Sequence, residues 1–476
     1  MKNSIAKNYI YNLTYQILVI ILPVVTTPYL ARTLGPTGTG IYSYTISIVT
    51  YFILFGSLGI ALYGQREIAF VQNDKEKRTQ IFSNVFLLRC ITMIISLTVF
   101  YLIFCLNGDY KMYYRILIIE MIANVVDISW FYQGIEQFKK TATRNIIVKL
   151  LSVICIFLFI KNPTDVSKYL FIYVGTTLFG NLVLWLDIRK YINRISFKHI
   201  SLFKHLKSTI VLFIPQVAIQ IYTVLDKTMI GSILNDMTEV GYYEQSQKIV
   251  KILLTIITSL GTVMMPRIAK LYAEGQKDNI KEYMYRTFKF VFMMGCPLVL
   301  GLISISSNFV PLFFGEGYEP VIKLINITSV IILFIGFSNV TGSQFLLSTK
   351  RQKEFTISVV CGAIVNATLN FILIPAYKAF GASIATVIAE LTVTCIQLYF
   401  VRKDFKIFSI LKSSIKYVIS AVVMFISSII IDYFIDSRTI SVCTQICVGV
   451  VIYFLGLILM KEVLIKEIVE KFFRKK

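Results

Sequence analysis

The sequence reads as an all-α polytopic membrane protein, and three observations carry that reading. Of the 476 residues, 56% are hydrophobic and only 16% charged, against about 25% charged in an average soluble protein. The apolar residues gather into runs of about the 20 residues that a helix needs to cross a bilayer. The remaining charge falls in the short connections between those runs. With a mean hydropathy of +0.72, these figures exclude a disordered chain, a secreted disulfide scaffold and an ordinary soluble enzyme. Helix is the conformation for the runs, because a backbone in lipid must satisfy its polar groups within the segment. Barrel strands would alternate polarity over shorter stretches.

Fourteen apolar segments are expected, at 9–31, 41–62, 81–105, 113–132, 144–161, 166–188, 209–234, 240–265, 287–310, 321–347, 355–377, 381–401, 413–431 and 440–460. The N-terminus, Met1 to Lys7, is polar and basic, and the long run after it has no small-residue cleavage pattern, so it is read as a retained first span. The connections then alternate in charge. The second carries Arg66, Lys75, Lys77 and Arg78, the fourth Lys139, Lys140 and Arg144, and the sixth, Arg189 to Lys207, is the most basic. The eighth has Arg267, Lys270, Lys277, Lys281 and Arg286, the tenth Lys350, Arg351 and Lys353, and the twelfth Arg402, Lys403 and Lys406. The odd connections are short and poor in basic residues; the seventh has Asp236 and Glu239, the ninth Glu316 and Glu319. The positive-inside rule therefore puts the even connections and both termini in the cytoplasm.

The net charge of +22 is thus a matter of topology, and nucleic acid is not an expected partner. The basic, amphipathic tail from Lys461 to Lys476 is expected to lie against anionic membrane lipids, each basic residue adding about 1 kcal/mol. All eight cysteines fall in apolar runs, and the two histidines, His199 and His205, share one basic loop. Neither a disulfide frame nor a metal site is expected from that pattern.

An internal repeat is visible. Gly40, Tyr42, Thr45 and Ile48 recur at one offset as Gly241, Tyr243, Ser246 and Ile249, and Arg66 recurs as Arg267. The repeat implies two six-helix lobes of the same orientation, 1–208 and 209–410, with two further helices and the tail in 411–476. Parallel repeats of this kind place a substrate site near mid-membrane at the repeat interface. The lead helix of each lobe carries an interior proline, Pro23 and Pro215, which removes a helix hydrogen bond and is expected to kink the span.

Ionisable residues deep in a span cost roughly 2.5–3.5 kcal/mol on insertion scales, so depth decides which of them need a reason. Lys149, Lys323 and Lys416 lie within about two turns of an expected span end and are expected to snorkel. Arg89 is intermediate. Glu120, Asp127, Asp226, Lys227, Lys248, Lys251 and Glu390 are deeper. Lys248 and Lys251 share a helix face with Glu244 one turn away, and two ammonium groups on one polar stripe suit an anion such as a phosphate. Internal pairing, Lys248 with Glu244 and Lys227 with Asp226, is the alternative. The carboxylates Asp127, Glu390, Glu120 and Asp226 are candidates for binding a coupling proton or cation, or for helix-to-helix hydrogen bonds.

The residues Arg32-Thr-Leu-Gly35-Pro-Thr-Gly-Thr-Gly40-Ile-Tyr42, Tyr63-Gly64-Gln-Arg66-Glu67 and Asp127-Ile-Ser-Trp130-Phe-Tyr-Gln133-Gly134, with Arg144-Asn145, resemble the signature of the Wzx-type polysaccharide flippases. Asp226-Lys227, Val240-Gly241-Tyr-Tyr243, Pro266-Arg267-Ile268 and Phe314-Gly315-Glu-Gly-Tyr318 extend the resemblance through the second lobe. It implies membership of the superfamily that holds the lipid II flippase and the MATE exporters. It also implies a bacterial cytoplasmic membrane and alternating access. The implied substrate is a polyprenyl-diphosphate-linked oligosaccharide repeat unit, carried outward for capsule, O-antigen or exopolysaccharide assembly. On this reading Lys248 and Lys251, helped by Arg32, Arg89 and Lys227, hold the diphosphate. A proton or sodium gradient supplies the drive without a bound cofactor, and a polysaccharide polymerase and assembly proteins are the expected partners. A MATE-like antiporter is the first alternative. A membrane polysaccharide polymerase is the second, and it is disfavoured because every odd connection is short and no catalytic constellation lies at a membrane face.

Overall fold

The structure is a computed structural model describing residues 2–193 and 201–462. For 2–20, and for 203, 204, 211, 212, 214–216, 218, 219, 221, 222, 262 and 263, it describes the backbone alone. The first helices are α1 (Lys2–Ser57), α2 (Ile60–Phe70), α3 (Lys75–Phe100), α4 (Lys111–Val125), α5 (Ser129–Gly134), α6 (Phe138–Phe159) and α7 (Val166–Val183). There follow α8 (Leu202–Leu234), α9 (Met237–Ala273), α10 (Lys277–Phe314), α11 (Glu319–Thr328) and α12 (Ile331–Ser338). The last are α13 (Gln352–Val401), α14 (Ile407–Phe434) and α15 (Arg438–Leu459).

Among the described residues, 11 helical stretches are long and apolar enough to cross a membrane. Two of them, Ile21–Phe70 and Gln352–Val401, run to 50 residues, or about 75 Å at the helical rise. That is more than twice the ~30 Å hydrocarbon core, and neither is continuous. In α1 the backbone stays helical through Pro23 and Pro28 and breaks at Gly35 (φ 69, ψ 176). Glycine adopts that left-handed φ without steric penalty, and Pro36 after it has no N–H to continue the ladder. The expected first and second spans are the two halves of α1. Pro215, the matching proline, lies outside the residues whose side chains are described. In α13 the break is at Lys378 (φ 53, ψ −136), between the expected eleventh and twelfth spans. The expected fourth span is divided into α4 and α5, and the expected tenth into α11, α12 and a π-helical stretch, Asn339–Leu346.

The chain forms two compact units, Met1–Gly241 and Tyr242–Lys476. The lobe boundary expected from the repeat, at 208/209, differs from this division. The reason is side-chain bonding of α8 along the second half of α1: Ser47 Oγ lies 3.1 Å from Thr228 Oγ1, and Tyr44 Oη 3.1 Å from Ser232 Oγ.

In the first unit the odd connections gather at one end. Thr37 and Thr238 hydroxyls are 2.9 Å apart, and Tyr29 donates to the Ile160 carbonyl. Tyr44 meets Tyr110 edge-on. A Cβ on Gly40 would overlap the Met237 carbonyl, and one on Gly241 would overlap the Pro36 carbonyl. The two glycines of the sequence repeat thus make the same close approach reciprocally. The even connections form the opposite end. There Arg78 Nε donates to the Tyr191 carbonyl (2.9 Å), Tyr132 to the Leu184 carbonyl (2.7 Å), and Lys140 pairs with Asp187. Tyr63 and His205 Nδ1 are 2.7 Å apart. An aromatic core of Phe82, Trp130, Phe131 and Tyr132 packs at this end, with Gly64 against the Trp130 ring because a Cβ there would strike it. In the second unit Arg351 bonds Asp404 and the Phe400 carbonyl at the even end. Glu462 accepts from Tyr417 and pairs with Lys416. That pairing gives Lys416 a carboxylate partner. The tail beyond Glu462, and His199, lie outside the described residues.

Candidate functional site

The polar stripe on α9 begins at its N-terminus. Asn235 ends α8 in the left-handed region (φ 52), and Asp236 accepts the Thr238 N–H (2.9 Å), which starts the new helix. Three turns into α9, Lys248 Nζ lies 3.6 Å from Glu244 Oε1, the spacing of an i, i+4 pair. The expected alternative of internal pairing therefore holds for Lys248. Lys251, one turn further on, is exposed. Tyr243 Oη is 3.0 Å from Thr386 Oγ1 on the second half of α13, and Glu390, one turn beyond Thr386, is 7% exposed. Between Tyr243 and Lys248, Gln245 is fully buried with neither amide atom hydrogen-bonded. A buried amide in that state carries the full cost of desolvation. The second unit thus brings Glu244, Lys248 and Lys251 onto one helix and Glu390 onto a helix bonded to it.

A second cluster lies in the first unit, around the break between α4 and α5. Helix α4 ends at Val125, and the carbonyls of its last turn need donors. Three side chains from elsewhere in the unit supply donors to the last turn and to the two residues after it. Asn181 Nδ2 donates to the Ala123 carbonyl (2.7 Å), Trp185 Nε1 to the Val126 carbonyl (2.7 Å), and Arg89 to the Asp127 carbonyl (3.1 Å). Arg89 also bonds Asn124 Oδ1 at 2.7 Å. The Asp127 carboxylate accepts the Ser129 N–H (2.9 Å), which starts α5, and lies 3.6 Å from the Arg144 guanidinium. Arg144 bonds Asn181 Oδ1 in turn (2.7 Å). One guanidinium, Arg144, thus faces the Asp127 carboxylate, and a second, Arg89, bonds the backbone carbonyl of the same residue. Arg89 is only 2% exposed, and its Nε has no acceptor.

The other expected residues stand apart. Glu120 lies beside Tyr173, with one carboxylate oxygen buried and without a hydrogen bond. Asp226 is buried and Lys227 half-buried on α8. Arg32 is exposed, close to the Gly35 break at the odd-connection end, and is not brought to Arg89. Sequence reasoning did not single out Asn124, Asn181 or Gln245. Asparagine and glutamine deep in apolar runs were the available signal. Lys149 is a correction. Helix α6 starts at Phe138, six residues before the expected span, so Lys149 lies three turns into the helix and not near its end.

These features define a multi-pass helical membrane protein with charged side chains held inside its apolar units, which is the build of a transporter. More particularly, the chain belongs to the polysaccharide biosynthesis protein family, whose model matches residues 5–272, more than half of the chain. The MatE model matches residues 212–372. The chain is 25% identical over 408 residues to a putative O-antigen transporter of Escherichia coli (strain K12), covering 85% of this chain and 98% of that protein. It is 22% identical over 405 residues to the capsular polysaccharide biosynthesis protein CapF of Staphylococcus aureus, covering 84% of this chain and all (100%) of that one. In fold it is similar to the lipid II flippase MurJ in its inward closed conformation, with a TM-score of 0.76, 18% identity, and coverage of 96% of this chain and 100% of that one. It is also similar to an inward-facing MATE family multidrug transporter, with a TM-score of 0.64, 14% identity, and coverage of 85% and 99%.

Proposed function

We propose that this protein carries a lipid-linked oligosaccharide unit across the bacterial cytoplasmic membrane by alternating access, supplying capsule, O-antigen or exopolysaccharide assembly. The observation that carries the reading is likeness along almost the whole length of the O-antigen transporter relative, joined to cationic side chains within apolar helices. A sugar head group needs a polar path, and a diphosphate needs cations. Counting each broken helix, α1 and α13, as two crossings and α8 as one brings the 11 stretches to the expected fourteen. With basic even connections the termini are then cytoplasmic.

In this reading the diphosphate engages Lys251 and Lys248, the latter exchanging its Glu244 partner for the phosphate. Glu390, buried on α13, takes up the coupling proton or sodium ion. The hydrogen bonds around Asp127 and Arg89 suit a clamp on the α4–α5 break better than a mobile ion or substrate site. Polymerase and assembly proteins act after release on the outer side.

The test is leaflet accessibility of the lipid-linked oligosaccharide in cells depleted of this protein, probed with an impermeant glycan-cleaving reagent. The intermediate should accumulate and stay protected until the membrane is opened. Normal arrival at the outer leaflet without polymerisation would refute the proposal and favour action after the flip.

A further inference from the structure

Lys149 has no role in the reading above, yet its placement in α6 calls for one. Five exposed residues of α6, Thr143, Ile147, Leu150, Ile154 and Leu158, line one helix face at the i, i+4, i+7, i+11 spacing, the face expected to meet lipid; Phe138 and Phe159, at the two ends of the helix, are exposed off it. The opposite face is packed at both ends. Thr141 and Ala142 are buried toward the even-connection end, and Ile156 and Ile160 toward the odd. Lys149 belongs to this packed face, since it follows Ile147 by two residues, or about 200° of helix rotation. It shares its bearing with Ala142 and Ile156, each seven residues away. Nevertheless Lys149 is exposed. The inward face of α6 is therefore open at its middle, and what it presents there is an ammonium group.

Depth and charge sharpen the point. Lys149 is eleven residues from the start of α6, about 16 Å along the axis, near the centre of a ~30 Å hydrocarbon core. No ion pair or hydrogen bond holds its Nζ among the described residues. An ammonium at mid-membrane, without a carboxylate and off the lipid face, is stabilised by water and by an anion that visits it.

We infer that Lys149 is an anchor for the diphosphate of a polyprenyl-diphosphate-linked substrate on the inward face of the first unit. The inference rests on the flippase reading for the identity of that anion.

Two measurements test it separately from that reading. In the purified protein in detergent, Lys149→Cys should react with a charged thiol reagent at least about tenfold faster than Ile147→Cys or Ile154→Cys, with labelling assigned to each position by mass spectrometry. With Lys149 intact, sugar-free polyprenyl diphosphate should slow the labelling of Val153→Cys, one turn along α6 from Lys149, severalfold, and should not do so once Lys149→Gln is added. Equal labelling of the three positions, or labelling that the diphosphate leaves unchanged, overturns the inference. In cells, Lys149→Gln should lower glycan export about tenfold at unchanged protein level, Lys149→Arg should restore most of it, and Ile147→Ala should leave it alone. Wild-type export by Lys149→Gln overturns the anchor while the flippase reading stands. If instead the intact protein moves no lipid-linked oligosaccharide, that reading fails and the labelling experiment alone judges the site.

Discussion

Replacing Arg89 with alanine separates a structural clamp from a substrate contact. In the structure Arg89 is 2% exposed and spends two donors on the α4–α5 break, at the Asp127 carbonyl (3.1 Å) and Asn124 Oδ1 (2.7 Å). An ordinary interhelical hydrogen bond in a membrane protein is worth only about 0.6 kcal/mol. Bonds to a charged group run to about 1.5–3 kcal/mol, and removing one partner of a buried ionic cluster costs about 3–5 kcal/mol. Arg89→Ala also leaves the Asp127 carbonyl and the Asn124 side chain without this donor, so the expected loss is about 3–5 kcal/mol. The assay is equilibrium unfolding in mixed detergent micelles with increasing denaturing detergent. Asn124→Ala and the double variant should complete a cycle showing coupling of about 1–3 kcal/mol. A stability loss no larger than about 0.6 kcal/mol, with glycan export abolished, would refute the clamp and return Arg89 to the substrate.

The remaining predictions follow from the same geometry. Gly64→Ala drives a Cβ into the buried Trp130 ring and should destabilise by about 1–3 kcal/mol, whereas Gly175→Ala, with open space at its Cβ, should not; thermal melting in detergent compares them. Lys251→Ala should abolish export with protein level unchanged, and Lys251→Arg should keep part of it, because the charge survives while the geometry of the contact changes. Quantitative glycan blots against membrane protein level read both. Asp165 sits between α6 and α7, paired with Lys168 (2.8 Å) and accepting the N–H groups of Lys161 and Asn162 (2.9 Å each). These partners, Lys168 foremost, hold its carboxyl at about 2, below the ordinary value of about 3.9. A lowered pKa contributes stability that is complete above the unfolded value and lost as pH falls through the folded one. Asp165→Asn should therefore melt lower than wild type at pH 7, with the gap closing between about pH 4 and pH 2; a gap constant over that window would show that the charge is not what stabilises the turn.

Much of this protein was legible as a string of residues. Apolar runs and alternating connection charge are local properties, so the membrane class, the helical conformation and most span positions follow without a fold. The glycine-tyrosine repeat even anticipated a tertiary fact. Gly40 and Gly241 occupy matching positions in it, and they make reciprocal backbone contacts at the odd-connection end. The resemblance carried by the Trp130 stretch pointed to the same family that the full-length comparison establishes.

What the string left open has one physical cause. In water a helix declares its inward face by being apolar on one side; in lipid both the outward and the packed faces are apolar, and the periodicity fades. Sequence therefore located Asp127 and Arg89 within spans but gave no sign that Asn124, Arg144 and Asn181 would converge on them, because those partners come from separate helices. It placed Lys149 near a span end because the polar stretch 138–143 reads as a connection, although it folds as the first turns of α6. Hydropathy determined that the chain enters the membrane. Only lateral packing, set by steric fit and by hydrogen bonds that nothing but another helix can supply, decided which of its charges meet and which stand open.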